Sequence, residues 1–197
     1  MLQIDFWYEF ASTYSYPAAM RIEDAAKARG VGVRWRPFLL GPIFFDQGWC
    51  NSPFNIYPAK GRYMWRDLER ICGSLGLPFA RPDPFPQNSL TAARLALAVD
   101  EAERPAFTRA VYAAQFGERR QIAGKETLAA ILAKLQLEPD AHFARASSDA
   151  IKMRLKEETD EARRLGVFGT PAFVVGDELF WGNDRLEAAL DWAAKRG

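Results

Sequence analysis

One histidine and two cysteines in 197 residues are too few for several kinds of protein. They cannot furnish a four-ligand structural zinc site without carboxylates, and no metal site is expected. They also exclude a disulfide-rich secreted framework. Charge of one sign is lacking as well, since 26 Lys+Arg face 25 Asp+Glu for a formal net charge of +1. The basic footprint of a nucleic-acid binder is therefore missing, and no nucleic-acid partner is expected. No apolar run approaches the roughly 20 residues of a membrane span, so no membrane partner is expected. The opening MLQIDFWYEF carries Asp5 and Glu9 and no basic stretch, unlike a secretory signal. A cytoplasmic protein is expected, with Cys50 and Cys72 as reduced thiols and Cys50 packed.

What is present reads as globular. Apolar residues make up 49% and charged residues 26%, with 14 Phe and 6 Trp, a balance that a disordered chain would not show. Leu2–Tyr8 reads as a strand, Ser15–Arg29 as a helix stopped by Gly30, and Val31–Pro37 as a second strand. A β-α-β opening favours a parallel pair. Phe38–Pro58, with Pro42, Pro53 and Pro58 among aromatics, reads as a long functional loop. Phe44, Phe45, Trp49 and Tyr63 are candidates for an apolar pocket wall or for plain core packing. Helices are expected over Arg62–Leu75, Leu90–Glu103, Pro105–Phe116, Thr127–Leu135 and Pro139–Ala146, with a proline-rich turn over Leu77–Pro86. His142 reads as a surface helix residue, and Arg62 with Asp67 as an exposed helix pair. Asp149–Leu165 is a strongly amphipathic helix ended by Gly166. A hairpin over Pro171–Gly176 and Glu178–Trp181 and a last helix, Asp184–Lys195, close the chain.

With the helical block removed, the order β-α-β-α-β-β-α is that of a thioredoxin fold. The expected architecture is α/β: a thioredoxin-like domain over residues 1–58 and 147–197, interrupted by an α-helical insertion over 59–146. The Gly169-Thr170-Pro171 turn fits a cis proline opening the third strand, because X-Pro bonds prefer trans by only about 0.5–1 kcal/mol. A redox member of this fold needs C-x-x-C between the first strand and first helix. Here the two cysteine positions are Ser12 and Ser15. Dithiol chemistry is disfavoured because the atoms are missing. Ser12 has two readings: a helix N-cap, or a hydroxyl that stabilises a bound thiolate at the positive end of a helix.

Five segments, in order, resemble the 2-hydroxychromene-2-carboxylate isomerase family, relatives of kappa-class glutathione transferases with a DsbA-type fold. They are Ser12-Thr13-Tyr14-Ser15-Tyr16; Asn51 with Pro53; Pro58 through Met64; Gly166 through Pro171; and Trp181-Gly182-Asn183-Asp184-Arg185-Leu186. The resemblance spans nearly the whole chain. It implies glutathione as cofactor, Ser12 as the catalytic serine that activates the glutathione sulfur, and a homodimer. It implies Asn51 and Lys60 as glutathione-binding side chains. It also implies that Thr170 pairs through its backbone with the cysteinyl unit, and that Asn183 and Asp184 lie at the γ-glutamyl end. Two positions depart from the family pattern: Thr13 stands where Pro is usual, and Thr170 where an aliphatic residue is more common. Taken alone, Lys60 could be a solvated lysine, Asn51 an Asx-turn, and Asn183 and Asp184 helix caps.

The implied activity is glutathione-dependent isomerisation of 2-hydroxychromene-2-carboxylate to trans-o-hydroxybenzylidenepyruvate, a step of aromatic hydrocarbon catabolism, on a small aromatic substrate. Conjugation of an electrophile, as in kappa transferases, is the alternative. A non-catalytic thiol-binding thioredoxin-fold module is a third reading from a different class.

Overall fold

The computed structural model describes residues 2–196. A four-stranded sheet runs in the order β2-β1-β3-β4, formed by β1 (Gln3–Tyr8), β2 (Gly32–Pro37), β3 (Ala172–Val175) and β4 (Glu178–Trp181). β1 is central. It pairs parallel with β2, setting Phe6 beside Trp35, and antiparallel with β3, setting Phe6 beside Phe173. The parallel pair requires a crossover, supplied by helix α1 (Ser15–Lys27). The hairpin expected at Gly176-Asp177 joins β3 to β4 in antiparallel register.

β1 can be central because apolar side chains on both of its faces find cover. Ile4, Phe6 and Tyr8 point to one side, where they join Ile22 of α1, Leu95 of α5 (Leu90–Ala98), Phe107 of α6 (Arg104–Tyr112) and Leu190 of α10 (Leu186–Lys195). Trp7 points to the other side and packs with Leu40 and Ile43 of α2 (Leu40–Asp46) and Ala162 of α9 (Asp149–Arg164). Aromatic contacts bind the sheet laterally: the Phe6 and Phe173 rings stack at 5.5 Å, and Trp35 meets Phe6 edge-on at 5.0 Å. On the far face the Arg36 guanidinium lies 4.4 Å from the Trp7 ring and donates to Glu158 of α9 at 2.6 Å.

The remaining helices are α3 (Pro53–Ile56), α4 (Pro58–Leu75), α7 (Lys125–Lys134) and α8 (Pro139–Ala146). Helices α5, α6 and α7 share one apolar core with the sheet: Leu95, Phe107, Leu128 and Leu132 lie in the same cluster as Ile4 and Phe6.

The segment Phe38–Pro58 differs from the expected loop, since it folds into α2 and α3. Its prolines fall where a helix tolerates them. Pro53 stands in the first turn of α3, and the Ser52 hydroxyl accepts from Phe54 N–H at 3.3 Å as its cap. Elsewhere α5 stops at Ala98 rather than Glu103, and α6 gives way to a π-helical turn, Ala113–Gly117. A short 3₁₀ turn, Asn183–Arg185, precedes α10, which starts at Leu186 and not at Asp184. Cys72 is buried and Cys50 is exposed, so the expectation of a packed Cys50 fails. His142 is exposed, with Nδ1 2.7 Å from the Glu138 carbonyl of its own helix. Asp67 does not pair with Arg62; it accepts from the Tyr14 hydroxyl at 3.0 Å.

Phe6 touches both neighbouring strands and is fully buried. Phe6→Ala should therefore cost about 3–5 kcal/mol, the range for large aromatic truncations in a core. Urea unfolding would show it as a lower midpoint at unchanged m-value.

Candidate active site

Six residues, 9–14, lead from the end of β1 to the head of α1, and a set of buried and part-buried polar bonds fixes the path of the first four. The Glu9 carbonyl accepts from Ser12 N–H at 2.9 Å and from the Tyr112 hydroxyl at 2.8 Å. The Phe10 carbonyl accepts from the Gln115 side-chain amide at 2.6 Å. The Glu9 carboxyl reaches forward to accept from Ala11 N–H at 2.9 Å, and its other oxygen bonds the Ser89 hydroxyl. The sequence suggests no site role for Glu9, Tyr112 or Gln115 and offers Ser89 only as a possible cap of α5; Ser89 does stand at that N-cap position, but its hydroxyl bonds Glu9 and caps nothing. The one available signal was an acid, Glu9, directly after the aromatic run Phe6-Trp7-Tyr8 that ends β1.

Ser12 is not the N-cap of α1. Tyr14 occupies that position, and no side chain caps the helix. The Ser12 hydroxyl instead crosses to the other end of the chain and donates to the Thr170 carbonyl at 3.0 Å. The Thr170–Pro171 peptide is cis, as expected. Thr13, in the place of the usual proline, is buried, and its hydroxyl lies 3.1 Å from the Met64 sulfur of α4. The serine at the head of α1 and the turn before β3 are thereby one site. The Pro171 carbonyl accepts from Gly182 N–H at 2.9 Å, which brings the end of β4 to the same place.

Two glycines permit this closeness. Gly182 has φ +113°, which side chains disfavour, and a Cβ there would lie 2.5 Å from Asp184 Oδ1. A Cβ on Gly169 would lie 2.6 Å from the Trp181 indole nitrogen. That indole and Phe168, both exposed, pack with centroids 4.9 Å apart beside Thr170.

The other expected site residues are placed as follows. Lys60 is exposed in the first turn of α4, its ammonium 4.8 Å from the Tyr57 ring. Asn51 is exposed, and its side-chain oxygen accepts from Ser52 N–H at 2.7 Å and from the Asn55 amide at 3.1 Å. Asp184 is exposed, with Arg185 3.4 Å away. Asn183 is buried, and its side-chain oxygen accepts from Arg21 of α1 at 3.2 and 3.1 Å. Arg21 also pairs with Glu187, so Asn183 helps lock α1 to α10. Thr170 is buried, and its own hydroxyl has no partner among the described residues. Of the four aromatics offered as pocket wall, Phe44 meets Trp49 at a tilt, centroids 5.4 Å apart, and packs against the Trp7 cluster, while Phe45 and Tyr63 are exposed.

The donor set fits a peptide thiol. An uncapped helix end and a serine hydroxyl suit an anionic sulfur. An exposed ammonium suits a carboxylate, and an exposed carboxylate suits an ammonium. The unpaired Thr170 hydroxyl leaves a buried polar group that a ligand could satisfy. Cys72 cannot supply the thiol, because burial pushes it up to about 11.

Residues 3–192 match the model of the DsbA-like thioredoxin domain. The chain belongs to that family. It is 30% identical over 185 residues to a 2-hydroxychromene-2-carboxylate isomerase of Sphingobium xenophagum, covering 93% of this chain and 94% of that one. It is 26% identical to human glutathione S-transferase kappa 1, covering 93% and 87%. A solved 2-hydroxychromene-2-carboxylate isomerase superposes with a TM-score of 0.88 at 29% identity, covering 98% of this chain and 95% of that one. The resemblance read from the five motifs therefore holds for family and fold.

The Glu9 clamp generates a prediction. Burial raises the Glu9 carboxyl from 4.5 to about 7, partly offset by its bonds from Ser89 and Ala11 N–H. A raised folded-state value means that the stabilisation is complete below pH 4.5 and is lost as pH climbs through 7. Glu9→Gln removes this titration. The difference in stability between the variant and the wild type should shift in the variant's favour by about 3 kcal/mol between pH 4.5 and pH 8. Denaturant titrations at the two pH values would measure it.

Proposed function

We propose that the protein is a glutathione-dependent isomerase of 2-hydroxychromene-2-carboxylate. The observation that carries this reading is the Ser12 hydroxyl, held at the head of α1 against Thr170 in a site without a cysteine. Its relatives named as 2-hydroxychromene-2-carboxylate isomerases support the choice of reaction. Glutathione, when bound, supplies a thiolate that adds reversibly to the conjugated side chain of the opened substrate, so that a double bond becomes a rotatable single bond before the thiolate leaves unconsumed.

The chain's own residues have distinct tasks. Ser12 turns its hydroxyl from the Thr170 carbonyl to the sulfur and keeps the thiol ionised, aided by the N–H groups at the start of α1. Thr170 offers its backbone to the cysteinyl unit as an added strand would. Lys60 and Asn51 hold one end of the tripeptide, and Asp184 the γ-glutamyl ammonium at the other. Asn183 contributes through its backbone and through the Arg21 lock, which sets the α1–α10 geometry.

The kappa relative favours a second reading, in which the same thiolate forms an adduct that is released. Counting free thiol during turnover of 2-hydroxychromene-2-carboxylate separates the two. Constant thiol with complete product formation is expected; loss of one thiol per product would establish the transferase. Isomerisation at full rate without glutathione would end the thiolate mechanism. Ser12→Ala should slow the chemical step by about 2–4 kcal/mol in barrier, the usual effect of removing a donor to an anion. An unaltered rate would leave Ser12 a structural residue only.

Lys60→Ala and Asp184→Ala should weaken binding of S-methylglutathione, which keeps the peptide ends and lacks the thiol, as much as they weaken glutathione. Ser12→Ala should weaken the analogue much less than glutathione. Calorimetry with both ligands reads this, and equal losses in all three variants would show the site's two ends to be misassigned.

A further inference from the structure

An open cavity of about 650 Å³ lies between the proline-rich segment 80–85 and Asn55 of α3, with Arg119 also in its lining. That volume suits a small organic molecule. The lining is uneven in chemistry: two guanidinium groups, Arg81 and Arg119, against one carboxylate, Asp83, beside the ring of Phe85. Trp65 of α4 organises it. The Arg81 guanidinium lies 4.7 Å from the Trp65 ring, and Phe85 meets the same ring edge-on at 4.8 Å. A cation held on an aromatic face is oriented without being neutralised. Among the described residues no carboxylate pairs with Arg81, whereas Arg119 has Asp83 at 3.7 Å, an exposed and therefore weak partner. Arg119 is also held at φ 57°, a backbone region that side chains rarely adopt.

The cavity is tied to the Asn51 segment of the site described above, although neither Ser12 nor Thr170 lines it. The Asn55 amide donates both to Asn51 Oδ1 at 3.1 Å and to the Phe85 carbonyl at 3.3 Å, so one side chain spans the Asn51 segment and the cavity wall. Met64, Trp65 and Leu68 form a small cluster against which both Phe85 and Tyr14 pack, and Met64 touches Thr13, the residue after Ser12.

We propose that this cavity binds an aromatic carboxylic acid, with Arg81 and Arg119 on its carboxylate and Phe85 against its ring. On the isomerase reading, which identifies this acid as the substrate, the cavity is the specificity site for the electrophile. The guanidinium fork matches a carboxylate in two parallel hydrogen bonds, and the planar ring of the acid matches the aromatic and proline wall. Asp83 opposes the ligand by occupying Arg119.

Calorimetry on the full chain without glutathione tests this, with trans-benzylidenepyruvate and its methyl ester as probes. The acid should bind, and the ester at least tenfold more weakly. Arg81→Gln and Arg119→Gln should each weaken the acid about tenfold or more, and Arg81→Lys less than Arg81→Gln. Asp83→Asn should tighten it severalfold. Failure of the acid to bind, equal affinity for acid and ester, or unchanged affinity in both glutamine variants would overturn the assignment. Arg119 is exposed and has no recorded contact with Trp65, so Arg119→Gln remains a fair test if Arg81→Gln disturbs the Trp65 packing. S-methylglutathione should bind all four variants as it binds the wild type. Binding of the acid without any binding of glutathione would refute the isomerase reading and leave the cavity assignment standing. Glutathione turnover with acid binding indifferent to both arginines would refute the cavity assignment alone.

Discussion

The Glu9 clamp is the constraint on which the site depends. A chain leaving a central strand must turn sharply to enter a helix, and the peptide groups of that turn have no sheet or helix partners. Here Glu9 and Phe10 are buried, so their carbonyls need partners. Tyr112 and Gln115, from the end of α6 and the π-helical turn after it, supply bonds to the Glu9 and Phe10 carbonyls, and the Glu9 carboxyl supplies one to Ala11. The helical segment between β2 and β3 is thus more than a cover over a future pocket. It satisfies the backbone that aims Ser12 at Thr170.

This arrangement gives the π-helical turn at Ala113–Gly117 a physical context. It sits where Gln115 must reach Phe10, and where Phe116 stacks on Tyr16 of α1 at 5.7 Å. The price of burying a carboxyl is a titration near neutral pH in the same turn. Local stability and the position of the proposed catalytic hydroxyl are therefore coupled to one buried acid.

The two halves of the site come from opposite ends of the sequence. Ser12 follows β1, while Thr170 precedes β3, and the antiparallel pairing of those strands makes them neighbours. Arg21, through Asn183 and Glu187, fastens α1 to α10 and keeps the end of β4 beside them. Any peptide thiol bound at Ser12 meets groups from all these elements at once. A site assembled in this way is sensitive to the packing of the sheet, of which Phe6 is the centre.

Much of this was legible in the sequence. Strand β1, helices α1 and α9 and the hairpin follow from short-range periodicity and glycine stops, which are local properties. Serine at positions 12 and 15, where the two cysteines of a redox member would stand, disfavoured dithiol exchange, since no fold can supply missing sulfur. Motif order alone pointed to the family. What the sequence could not decide was which local option each polar residue took. Ser12 could cap its helix or cross to Thr170. Asn183 could face a ligand or Arg21. Pro53 could break a helix or begin one. These alternatives are close in energy locally, about 1 kcal/mol for a cap, so long-range packing decides among them. The cavity of Arg81, Phe85 and Arg119 escaped sequence reading for the same reason: its residues join through Trp65 and Asn55, contacts that no periodicity encodes. Composition and local pattern determined the elements and the excluded chemistry; only the tertiary structure determined which buried groups had to satisfy one another.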